Sequence, residues 1–117
     1  MIHSFTDMEV WQKANELAIE VFKLTISLPH SEDYALTSQV RRSSNSVSGN
    51  IAEGFGRRTN KDKGYFYTIA RGSAFETQSH LKYGNGVGYF NEEATNRLFT
   101  EYKELIHQLN KIMKSLG

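Results

Sequence analysis

A chain of 117 residues with 38% hydrophobic, 23% charged and 12% aromatic side chains suits one domain spanning residues 1–117, with enough apolar content for a core. Fourteen basic against thirteen acidic residues leave a net charge of +1, so any contact with nucleic acid has to come from a local patch. Zero cysteines exclude disulfides, thiolate chemistry and cysteine-based metal sites. No run of about 18 apolar residues spans a membrane, and Met1–Glu9 lacks the basic and apolar regions of a signal peptide, so the expected compartment is the cytoplasm.

One proline and few clustered glycines leave long stretches free for helix. Thr6 and Glu9 have the spacing of a capping box, and Phe5 and Val10 that of a hydrophobic staple. From there Val10, Ala14, Leu17, Val21, Leu24 and Leu28 recur in steps of four and three, until Pro29 ends the run. After the polar linker His30–Asp33, Leu36, Val40, Ser43, Val47, Ile51 and Gly54 share one face of a second helix. That stripe is small and serine-rich, which predicts close approach of a neighbour and a weak spot near Gly49.

The third helix is expected to begin at Thr59 or Asn60, with Phe66, Ala70, Ser73, Thr77 and Leu81 facing inward, widened by Ile69 and Ala74. Gly84-Asn85-Gly86 should end it through left-handed residues. Asn91, Glu92 and Glu93 open a fourth helix, on which Leu98, Tyr102, Leu105, Leu109, Ile112 and Leu116 step 4-3-4-3-4. No segment alternates as a strand does. The expectation is all-α: an antiparallel up-down-up-down four-helix bundle.

Closing such a bundle leaves apolar surface over. On the first helix Trp11, Ala18 and Phe22 flank the inner seam, and Ile19 and Ile26 lie further round, for an apolar arc of about 220°. On the third, Phe75 points opposite Phe66. Trp11, Phe22, Ile19, Ile26 and Phe75 are therefore candidate contacts between copies of the chain.

Few side chains are spaced for chemistry. Glu104 and His107 form one E-x-x-H, but a di-iron bundle needs two such pairs plus two more glutamates, and this pair faces away from the seam. Glu76 and His80, at i and i+4, suit a hydrogen bond or, less readily, a metal. Neither Gly54-Phe55-Gly56 nor Gly84-Asn85-Gly86-Val87-Gly88 follows a strand or matches a nucleotide-binding fingerprint, and no G-x-S-x-G elbow is present. No cofactor and no catalytic residue are expected. Arg57, Arg58, Lys61 and Lys63 form the densest positive cluster, at the entrance to a helix, where free amides add to the charge; Arg41 and Arg42 extend it, and Tyr65 and Tyr67 lie beside it. Gln39, Arg42, Ser46, Asn50 and Glu53 line the flank of the second helix, and with Glu76 and His80 they form a candidate polar network that fixes helix register or, as the lesser alternative, a ligand site.

Phe5-Thr-Asp-Met-Glu-Val-Trp-Gln-Lys-Ala14, Leu36-Thr-Ser-Gln-Val-Arg-Arg42 and Asn50-Ile-Ala-Glu-Gly-Phe-Gly-Arg57 together resemble the 23S rRNA intervening-sequence proteins, also called four-helix bundle proteins. Gly72-Ser73, Glu76, Leu81 and Gly88-Tyr89 fit the same pattern, so the resemblance covers nearly the whole chain. Two places depart from it. Ser46-Val-Ser-Gly-Asn50 stands where the family often carries a proline, and Ser79, His80 and Lys82 are polar where the family is more apolar. The resemblance implies a cytoplasmic bacterial bundle assembled as a homopentamer, with no defined enzymatic activity. Distantly similar accessory proteins of diversity-generating retroelements are basic pentamers that engage nucleic acid, an analogy of fold that does not itself carry function. Three readings follow. The first is a homo-oligomeric, RNA-associated scaffold, whose partners are RNA or an RNA-processing protein. The second is a protein-binding adaptor without nucleic-acid affinity, and the third a metal-binding bundle built on Glu76 and His80.

Overall fold

The computed structural model describes residues 2–117. Ser4 opens the chain's first turn, Phe5–Asp7: its hydroxyl accepts from the Thr6 amide at 3.2 Å, while the Asp7 carboxylate accepts from the Ser4 amide at 3.1 Å. The capping box thus falls on Ser4 and Asp7, two residues before the pair Thr6 and Glu9. Helix α1, Glu9–Thr25, has no side-chain cap of its own. Phe5 packs edge-on against Trp11, with ring centroids 5.1 Å apart.

Helix α2, Leu36–Phe55, runs unbroken through Gly49. Its serines are satisfied within the helix: Ser43, Ser44 and Ser48 donate to the carbonyls of Val40, Arg41 and Asn45. Such back-bonding removes the unpaired hydroxyls that would have weakened a buried serine-rich stretch. Helix α3, Asn60–Gly86, is capped by Thr59, whose hydroxyl accepts from the Asp62 amide at 3.1 Å. It continues through Gly84 and Gly86. The left-handed residue is Gly88, at φ +89°, while Gly84 serves a different purpose. A Cβ there would lie 2.3 Å from the Phe90 ring, so its bare backbone makes room for that buried side chain. Asn91 caps helix α4, Glu92–Ser115, accepting from the Ala94 amide at 2.7 Å.

No strand occurs among the described residues. Helix α1 packs on α2, α2 on α3, α3 on α4, and α4 returns to α1; the α2–α3 seam is the most extensive. The outline measures 43 × 23 × 21 Å. Leu17 and Val21 from α1, Val40, Val47 and Ile51 from α2, Leu81 from α3, and Leu98, Tyr102, Leu105 and Leu109 from α4 are sealed inside. Each such aliphatic side chain is worth about 1.5–3 kcal/mol when fully buried. Ala70, Ala74, Thr77 and Leu81 on the third helix are buried as expected, but at its start Tyr67, not Phe66, is buried, because Gly54 on α2 leaves a hollow that the Tyr67 ring fills.

Candidate functional site

The corner between α2 and α3 holds the basic cluster, and its members differ in availability. Lys63 turns inward, donating to the carbonyls of Phe55 at 2.8 Å and Gly54 at 3.3 Å. The Gly54 carbonyl also accepts from the Arg57 amide at 3.2 Å, so Phe55 supplies the acceptor that depends on Lys63; a cation is favoured at this C-terminal end of α2, and Lys63 belongs to it rather than to an outer basic face. Arg57 lies 4.4 Å over the Phe66 ring and pairs with Glu53 at 3.1 Å. Arg58 and Lys61 are exposed and have no ion pair among the described residues. An open depression of about 470 Å³ is lined by Gly56, Arg57, Arg58, Thr59 and Asp62. Asp62 sits in the first turn of α3 and offsets part of the positive potential there.

Arg41 does not join this corner. Sixteen positions before Arg57 on the same chain, it stacks 4.3 Å over Phe22 and donates from Nε to the Thr25 hydroxyl at 2.8 Å. Tyr67 is likewise withdrawn from any base-stacking role: it is buried, which raises its phenol pKa. Tyr65 stays exposed, edge-on to Phe66. One contributor escaped the sequence reading. Asn60 donates to the Leu116 carbonyl at 3.3 Å, which brings the end of α4, with exposed Lys114, to this corner. Only the return of the chain by four helices could have signalled it.

Along the outside of α1, Ile19, Phe22 and Ile26 are 47%, 50% and 64% exposed. Beside them a groove of about 360 Å³ opens between α1 and α2, with Asn15, Ala18 and Asn45 completing its walls. Trp11 is set apart from this line, half-buried against the core and against Phe5. Phe75, 53% exposed, stands on α3, a helix that does not touch α1.

The α2–α3 seam carries the polar side chains. Glu76 accepts from Arg42 and lies 3.0 Å from His80 Nε2. Partial burial works against its charge, but the His80 hydrogen bond and the Arg42 guanidinium prevail and hold its carboxyl below the ordinary value. Deeper in the seam the Ser43 and Thr77 hydroxyls meet at 2.8 Å, and Ser73 donates to the Ser46 hydroxyl at 3.1 Å. Asn50 donates to the backbone carbonyl and hydroxyl of Ser46 at 2.8 and 2.9 Å. Glu53 takes no part in this chain of bonds, being paired with Arg57. Among the described residues no group of three or more His, Asp or Glu is arranged to hold a metal, and Glu104 and His107 are both exposed.

No curated protein matches the chain. A crystal structure of a protein of unknown function from the S23 ribosomal protein family of Bacteroides thetaiotaomicron superposes with a TM-score of 0.81. It shares 23% identity, over 90% of this chain and 98% of that one. Likeness at that identity establishes the common helical fold. The profile of the 23S rRNA-intervening sequence proteins matches residues 6–111, and the chain belongs to that family.

Proposed function

We propose that the protein is a non-catalytic, homo-oligomeric scaffold that associates with RNA. The observation that carries this is the line of Ile19, Phe22 and Ile26, about half or more exposed beside an open groove. Covering what remains exposed of these three side chains is worth about 1 kcal/mol each, repeated at every subunit contact. Phe75, on a helix remote from α1, gives a second patch of different position. Contacts between unlike patches generate rings when the rotation closes, and the ring this reading takes is the homopentamer. The bundle is read as up-down-up-down with antiparallel neighbours. Pairs such as Arg42–Glu76 with Ser46–Ser73, or Glu20–Arg97 with Lys13–Glu101, support this, because partners on one helix rise in number as those on the next fall.

RNA phosphates would meet Arg58 and Lys61, with Arg57 swinging from Glu53. The family description, which concerns an intervening sequence of 23S rRNA, supports RNA as the class of nucleic acid. A non-catalytic role fits Glu76, whose carboxylate is already engaged by Arg42 and His80.

Light scattering after size exclusion, with a salt-titrated RNA binding assay on the same samples, tests both halves. Ile19→Asp with Ile26→Asp should reduce the particle toward a single chain. Arg57→Ala with Arg58→Ala should weaken RNA binding and flatten its salt dependence by about two units of log–log slope. A wild-type monomer at micromolar concentration refutes the scaffold, and an unchanged salt slope refutes the RNA contact.

A further inference from the structure

The end of the bundle opposite the basic corner has a different chemistry. There the α1–α2 connection meets the end of α3, tied by a hydrogen bond from the Tyr89 hydroxyl to Glu32 at 2.9 Å. A pocket of about 290 Å³ lies between α2 and α3, lined by Glu32, Ala35, Leu36, Gln39, His80 and Tyr83. The Glu32 carboxylate is held in place from two sides, accepting from the Leu36 amide at 3.2 Å as well as from Tyr89. A carboxylate has about four acceptor positions, so it keeps capacity for a further donor.

Tyr83 lines the pocket, Tyr89 bonds its carboxylate, and Tyr34 lies two positions along the chain from Glu32. Tyr34 is 98% exposed, Tyr83 57% and Tyr89 36%. Tyr83 and Tyr89 beside a fixed carboxylate offer ring faces on which a flat cation stacks, while the carboxylate takes its N–H groups. Of the cations at this end, Arg42 is paired with Glu76, Arg97 with Glu20, and Lys82 lies over the Phe99 ring at 4.7 Å, while Lys23 stands exposed at the end of α1, outside the pocket lining. Asp33, Glu92 and Glu93 add negative charge at the same end. A phosphate would meet this carboxylate charge, so an anionic strand is disfavoured here. The net charge of +1 thus conceals two unlike ends on a body 43 Å long.

We infer that this tyrosine-rich end docks a basic peptide segment, taking one arginine side chain into the Glu32–Tyr83 pocket. The guanidinium lies against the Tyr83 ring and donates to Glu32, and its planar fork suits both contacts better than a lysine ammonium does. The peptide backbone then crosses the exposed rings of Tyr34 and Tyr89. A protein able to meet RNA at one end would thereby hold a basic partner at the other. The peptide contact goes beyond the RNA reading and does not depend on it.

A fluorescein-labelled Gly-Arg-Gly-Arg-Gly-Arg-Gly peptide, titrated with the full chain at low salt and followed by anisotropy, is the test. Saturable binding is expected, with the lysine counterpart weaker. Tyr83→Ala and Glu32→Gln should each weaken it by about tenfold. Glu104→Gln, which removes a carboxylate from an exposed face of α4, should leave it unchanged. Tyr83 is an exposed helix position, so Tyr83→Ala keeps the fold; an unchanged melting curve confirms this. Absence of saturation up to about 1 mM, or equal binding by Tyr83→Ala and wild type, overturns the inference. So does loss of self-association in Tyr83→Ala, which would make a second copy the occupant, or loss of RNA affinity in that variant, which would make the occupant a base. RNA affinity measured on the same variants keeps failure of the peptide contact separate from failure of the RNA contact.

Discussion

Gly84 and Gly72 lie on the same helix, and replacing each by alanine should move stability in opposite directions. Gly72 is exposed, with nothing within 4 Å of the place its Cβ would occupy. Alanine there gains the helix-propensity difference, about 1 kcal/mol. At Gly84 the added carbon would lie 2.3 Å from Cδ2 and Cε2 of Phe90 and 3.1 Å from Cζ. Ordinary carbon contacts begin near 3.5 Å, so the ring has to retreat by roughly 1 Å. It has little freedom to do so. Phe90 is 3% exposed, its amide donates to the Gly84 carbonyl at 3.2 Å, and its own carbonyl accepts from the Asn85 side chain at 2.9 Å. Overpacking of this kind costs about 1–3 kcal/mol. The propensity gain is common to both variants and largely cancels between them. Urea denaturation followed by circular dichroism should therefore place Gly84→Ala about 1–3 kcal/mol below Gly72→Ala. Adding Phe90→Leu to Gly84→Ala should cost less than the two changes summed, because the smaller side chain relieves the clash. A Gly84→Ala protein as stable as Gly72→Ala would refute the close approach of the Phe90 ring.

The Tyr102 hydroxyl is buried with no hydrogen-bond partner, and burial, reinforced by the charge of Glu20, raises its pKa. Tyr102→Phe should hold or raise stability by up to about 1 kcal/mol, and a clear loss in the same denaturation assay would show that the hydroxyl is satisfied. Glu76 has a folded pKa below its ordinary 4.5. Its ionisation thus favours the folded state above that value, and the contribution disappears as pH falls through the folded pKa; Glu76→Gln should flatten the acid limb of a stability–pH curve, and an unchanged limb would refute this. Leu105→Ala removes a fully buried side chain from the seam of α4 and should cost about 2–5 kcal/mol by denaturation, whereas a loss below 1 kcal/mol would mean the core closes without it. Lys63→Ala should lower the melting temperature by removing the donor to the Phe55 carbonyl and, on the proposed RNA contact, should change the salt slope less than Arg58→Ala does; equal slopes would put Lys63 on the outer face after all.

The helical stripes were legible because burial imposes a period that local sequence records. Leu98, Tyr102, Leu105 and Leu109 step along α4 as read and are all sealed in the core. Where side chains are small, the period loses its grip. Around Phe66 and Tyr67 both residues are aromatic, and the choice was made by a hollow at Gly54, on another helix. Gly84 looked like a helix end because glycine ends helices, yet its missing Cβ is used by Phe90. The basic cluster reads as one patch only along the chain. In space Lys63 is drawn to the carbonyls of α2, Arg57 to Glu53, and Arg41 to Phe22 and Thr25. Partners of long flexible cations are set by whatever acceptor or ring tertiary packing brings within reach, and no sequence period encodes that.

The α2–α3 seam links these features to function. Apolar side chains of similar size would let the helices slide by a turn at little cost, since each knob would find a comparable hole. Here the contact is made by Ser43 against Thr77 and Ser46 against Ser73, at 2.8 and 3.1 Å. A slip of one turn, about 5.4 Å, would break both contacts; Ser43 and Thr77 would keep their bonds to the carbonyls of Val40 and Ser73, so the loss is the net worth of the cross-helix hydrogen bonds, about 1 kcal/mol each. The same slip would carry Arg42 away from Glu76 and put His80 and Tyr83 out of line with Gln39 and Glu32. Small residues bring the two helices close, and their cross-helix hydroxyl pairs favour the observed register. That register builds the Glu32–Tyr83 pocket at one end of the seam and holds the Arg58 corner at the other, so a double Ser43→Ala, Thr77→Val variant, in which both hydroxyls are replaced together, should stay folded yet weaken the proposed peptide contact at the pocket. If it retains full affinity for the arginine peptide, register is set elsewhere in the bundle.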